Sequence, residues 1–84
     1  MLTILYFASL REALGTDREV IARPEGVESV GQLRAWLRAR GGGWEQALAE
    51  NRAVRMAVDQ VMAREGTPIG AVAEIAFFPP VTGG

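Results

Sequence analysis

Only one stretch of this chain, Val30 to Arg40, carries helical spacing over a length able to cover a sheet. Val30, Leu33 and Leu37 fall on one side, and Arg34, Arg38 and Arg40 lie mostly on others. Ser29-Val30-Gly31-Gln32 opens it as a capping box, and the run Gly41-Gly42-Gly43 closes it. A domain of 84 residues with a single long helix must draw the rest of its core from strands.

Those strands are legible on either side of the helix. Leu2 to Ala8 places Leu2, Ile4 and Tyr6 on one face and Thr3, Leu5 and Phe7 on the other, a strand apolar on both sides. Ser9-Leu10-Arg11-Glu12 fits a second capping box and Gly15 a stop, which predicts a short helical turn before Glu19 to Ala22 returns as a hairpin partner. Beyond the main helix come a second short helix over Trp44 to Glu50 and a half-buried strand over Ala53 to Asp59. A very short strand at Val61-Met62-Ala63 and a last strand from Ala73 to Phe78 complete the order. This is a β-grasp arrangement in outline, an α+β fold with a mixed sheet of four or five strands over one helix. A ferredoxin-type sandwich needs a second long helix before the last strand, and Ala63 to Gly70 is too short and too marked by Gly and Pro to supply it.

Composition narrows the chemistry. The nine basic residues are all Arg, against ten acidic ones, and the net charge of −1 gives no nucleic-acid face. There is no Lys, His or Cys, so the usual general base, metal ligands, thiol nucleophile and Schiff-base amine are all missing. The apolar start has no basic residue before Arg11 and is too short to span a bilayer; it reads as a buried strand of a cytoplasmic protein with no membrane partner. Chemistry at a side chain is disfavoured, which turns attention to the end of the chain.

Residues 1–78 read as the folded domain and 79–84 as an extended tail. Pro79 and Pro80 offer no N–H, so strand pairing stops there, and Pro79 to Gly84 reaches roughly 20 Å when extended. Two final residues without Cβ atoms make a thread thin enough for a narrow channel. The string Phe77-Phe78-Pro79-Pro80-Val81-Thr82-Gly83-Gly84 resembles the C-terminal signature of the molybdopterin synthase small-subunit family, ubiquitin-like sulfur carriers of molybdenum cofactor biosynthesis. Tyr6-Phe7-Ala8 with Leu10-Arg11-Glu12 and Gly15, and Ala57-Val58-Asp59-Gln60, are similar to the same family, in which Asn often stands at the place of Asp59.

The resemblance implies that the Gly84 carboxylate is the reacting group. A ubiquitin-activating-type adenylyltransferase spends ATP to adenylate it, and a sulfur donor converts the adenylate to a thiocarboxylate. The tail, through Pro79, Pro80, Val81, Thr82 and Gly83, then enters the large subunit, where sulfur passes to a cyclic pterin phosphate. The chain binds no cofactor itself, is not catalytic alone, and joins a two-plus-two assembly. Phe7, Phe78 and Met62 are expected on the docking face; Arg11 either meets a partner carboxylate there or sits on a solvated turn. Two other readings stand beside this one: a related carrier for thiamine, tRNA or cysteine sulfur or a modifier joined to lysines, and a non-catalytic interaction module.

The remaining distinctive residues have plainer expectations. Trp36 and Trp44 pack under loops, and Arg34, Arg38, Arg40, Arg52, Arg55 and Arg64 form a solvated surface among acids. Asp59 is a strand-end turn residue and Glu74 an exposed strand residue.

Overall fold

The computed structural model describes residues 1–71 and 74–80. Five strands, β1 (Leu2–Tyr6), β2 (Arg18–Ile21), β3 (Arg55–Val58), β4 (Val61–Ala63) and β5 (Glu74–Phe78), form one sheet in the order β2-β1-β5-β3-β4. β1 and β5 pair in parallel at its centre, with Ile4 opposite Ile75 and Tyr6 opposite Phe77; every other neighbouring pair is antiparallel. Among the described residues three helices, α1 (Ala8–Leu14), α2 (Val30–Arg38) and α3 (Gly42–Ala47), complete the fold. This is a β-grasp.

Alternation sends Leu2, Ile4, Tyr6, Met56, Ile75 and Phe77 to one face of the sheet, where they meet Val30, Leu33 and Leu37 of α2 in a common core with Leu48 and Ile69. Tyr6 and Phe77 stack at 6.2 Å between ring centroids, and Trp44 meets the Tyr6 ring edge-on at 5.4 Å. The capping box at Ser29 forms as read, its side chain accepting from Gln32 N while the Gln32 side chain accepts from the Ser29 N–H. Gly31 is required by a close approach, since a Cβ there would lie 2.9 Å from the Glu65 carbonyl oxygen, which already accepts Gly31 N–H at 2.8 Å.

Several local expectations change. Ser9 does not cap α1, because Phe7 N–H donates to Phe77 O and holds Phe7 in extended geometry. Phe7 is therefore the N-cap, without a side-chain hydrogen bond, and Ser9 sits inside the helix. The glycine run both ends one helix and starts the next: Gly41 has φ 78°, while Gly42 and Gly43 open α3 ahead of Trp44. The Ala73 start assigned to the last strand lies outside the described residues.

The arginines divide. Arg34 is buried, not solvated, because it stands four residues after Val30 and three before Leu37, on the core side of α2. Its guanidinium donates to the carbonyls of Leu48, Ala49 and Arg52 and pairs with Glu65 at 3.1 Å, which ties α2 to the chain after α3 and to the loop after β4. Arg40 lies over the rings of both Trp36 and Trp44, 5.1 and 4.5 Å from their centroids. Trp44 thus reaches the core, whereas Trp36 stays 38% exposed against Arg40 and not under a loop. Burial, and then the charge of Glu19, push the Tyr6 phenol well above its ordinary range.

Candidate interaction face and tail root

On the face of the sheet turned away from α2, strand register assembles a row that crosses four strands. Leu5 of β1 lies opposite Ala76 of β5, Ala76 opposite Ala57 of β3, and Ala57 opposite Met62 of β4. Next to this row, Phe7 and Phe78 meet edge to face at 6.4 Å between centroids. Phe7 is 46% exposed and Met62 57% exposed, while Phe78 is half-buried and the two alanines form a closed floor between them. The result is a continuous apolar strip with large side chains at its ends and small ones in its middle. Arg18 opposite Leu5, Arg55 opposite Phe78 and the Thr3–Glu74 pair edge it with polar groups. An apolar centre with a mixed-charge rim is the makeup of a protein-docking surface.

Phe7, Phe78 and Met62 are thus brought onto one face. Arg11 lies on the exposed side of α1, one turn from Phe7, whose carbonyl accepts its N–H at 3.4 Å. Among the described residues its side chain has no ion-pair partner. Leu5, Ala57 and Ala76 were not singled out by sequence reasoning as members of this face. Alternation in β1 and β5 does carry the signal for Leu5 and Ala76, but nothing local tells a small residue on an interaction floor from one in a core.

β5 delivers the chain from this face into Pro79 and Pro80, both half-buried. Pro79 forms part of the wall of a concavity of about 330 Å³ between α1 and the chain from the end of α3 onward, and Arg52 is among the residues that line it. The tail therefore begins along the surface of the body. Val81, Thr82, Gly83 and Gly84, to which the sequence assigns tail binding and the reacting carboxylate, lie outside the described residues.

Asp59 and Gln60 form the β3–β4 turn with φ 47° and 71°. Asp59 Oδ1 accepts Glu74 N–H at 3.1 Å while Asp59 N–H donates to Glu74 O at 2.9 Å, so the turn is pinned to the start of β5.

Comparison with known proteins places this architecture. The molybdopterin synthase sulfur carrier subunit of Escherichia coli K12 is 37% identical over 84 residues, all of both chains, and that of Haemophilus influenzae Rd is 34% identical over the same span. The crystal structure of SAMP1 from Haloferax volcanii is 27% identical and superposes with a TM-score of 0.68 over 99% of this chain and 98% of its own. A structure from Pyrococcus furiosus, 24% identical with a TM-score of 0.70 over 95% of this chain and 97% of its own, shares the fold. The model of the ThiS family matches residues 4–84, tail included, and the chain belongs to that family.

Proposed function

We propose that this chain is the sulfur carrier subunit of a molybdopterin synthase. The observation that supports it best is end-to-end likeness to two proteins of that name, in a chain whose final residues are Gly83 and Gly84. A carboxylate is a poor electrophile. Adenylation of Gly84 by an activating enzyme, with ATP giving pyrophosphate, installs AMP as a leaving group. A sulfur donor then forms the acyl C–S bond as the C–O bond to AMP breaks, which leaves a thiocarboxylate.

The charged tail enters the large subunit and its sulfur passes to a cyclic pterin phosphate; two such transfers build a dithiolene. The strip from Phe7 and Phe78 to Met62 is the surface on which the large subunit docks, with Arg11 at its margin and residues 79–83 lying in the partner's channel. The assembly is two-plus-two and resides in the cytoplasm. Among the described residues, no helix is long and apolar enough to cross a membrane.

Intact mass spectrometry after incubation with the host's activating enzyme, ATP and a sulfide source tests this reading. Replacement of one oxygen by sulfur, lost when Gly84 is deleted, is the expected result. An unchanged mass, with the same enzymes active on a known carrier, refutes it.

A further inference from the structure

We propose that in the free protein the tail folds back, and that residues 81–84 occupy the concavity at their own root with the terminal carboxylate on Arg52. Pro79 is itself a wall of that concavity, and Val81 is only two residues further along the chain. From Pro80 the last four residues extend to about 13 Å, a reach on the scale of a space of about 330 Å³.

The lining suits a thin peptide. Ser9 and Ala13 of α1, and Ala47 and Ala53, are all small, which leaves room for a backbone and one Val81 side chain. The charge suits a terminus. Arg52 donates through Nε to Gln46 O at 3.3 Å, and among the described residues its two terminal nitrogens have no hydrogen-bond partner. Its position is set from behind, since its own carbonyl accepts from the buried Arg34 at 3.0 Å. A guanidinium held at its base with a free fork matches a carboxylate in two-pronged geometry.

A thiocarboxylate is an anion of the same shape. On the sulfur-carrier reading, one site therefore holds the terminus before and after loading, and a partner must lift the tail off before using it. The docking itself needs no sulfur chemistry, so this proposal and that reading fail in separate experiments.

The test is a nitrogen-15 NMR comparison of the full chain, the chain ended after Pro80, and each of these carrying Arg52→Gln. Arg52 is exposed, and unchanged amide signals in β1 and β5 verify that all four are folded. Truncation is expected to move the amides of Ser9, Ala13 and Ala53 and the Arg52 Nε–H. In the R52Q background the same truncation is expected to move none of the three amides, and salt near 1 M is expected to shift the full chain toward the truncated positions. Truncation effects confined to Phe78–Pro80, or equal effects with and without Arg52, overturn the proposal. So do effects that grow with protein concentration, which assign the groove to the tail of a second copy.

Discussion

The carboxylate of Glu19 accepts from both terminal nitrogens of Arg40, at 2.9 and 2.8 Å, across the gap between β2 and the end of α2. The same carboxylate accepts the Tyr6 hydroxyl at 3.0 Å. Hydrogen bonding from Arg40 above all, opposed by burial, holds the Glu19 pKa below its ordinary value. A depressed folded value stabilises the protein above the unfolded pKa of about 4.3 and ceases to do so as pH falls through the folded value. Arg40→Gln is thus expected to lower the urea midpoint at pH 7, with the gap to the native protein narrowing below about pH 4. A gap that does not depend on pH would show that Arg40 acts through its stacking on the tryptophans.

Arg34 serves three carbonyls that, among the described residues, no other side chain reaches. Arg34→Met strips the Leu48 and Arg52 carbonyls of this donor and leaves Ala49 O with the Arg52 N–H alone, with an expected loss of about 3 kcal/mol. Arg34→Lys recovers less than half, because one ammonium cannot copy the planar fork. Denaturant unfolding with an unchanged m-value measures both.

At Gly31 two effects oppose each other. Alanine gains about 1 kcal/mol of helix propensity, but its methyl would sit 2.9 Å from the Glu65 backbone oxygen. Overpacking of that kind costs about 1–3 kcal/mol, so Gly31→Ala is expected to lower Tm despite the better helix former.

The β3–β4 turn carries two left-handed residues, neither of them glycine. Gln60→Gly removes the strain at the second position and is expected to stabilise the fold by about 0.5 kcal/mol, read as a higher Tm. A lower Tm would mean that the Gln60 side chain does more than occupy the turn.

Met62 projects from the edge strand into solvent. Met62→Asp is expected to leave stability within about 0.5 kcal/mol of the native protein. On the proposed function it weakens association with the large subunit at least about tenfold, measurable by calorimetry. Equal affinity would remove β4 from the docking face.

Much of this molecule is written locally. Leu2, Ile4 and Tyr6 alternate into the core, Val30, Leu33 and Leu37 repeat into it, and Ser29 and Gln32 cap as their spacing says. What stayed hidden depends on distant partners. Position 34 falls within the apolar repeat of α2, but only the carbonyls at 48, 49 and 52 explain why an arginine belongs there. Phe7 displaced Ser9 as the cap because Phe77, seventy residues later, fixes its N–H. The concavity beside Pro79 arises from the packing of α1 against the chain after α3, and neither segment announces it alone.

The position of β5 also sets how the protein bears load. β5 lies between β1, in parallel, and β3, antiparallel, and runs directly into Pro79. A pull on the tail, such as its withdrawal from a tight channel, acts along β5 and strains both flanking ladders lengthwise, so their hydrogen bonds resist together instead of parting one by one. The thread is anchored at a strand braced on both sides, and traction on it should free the tail before it opens the sheet.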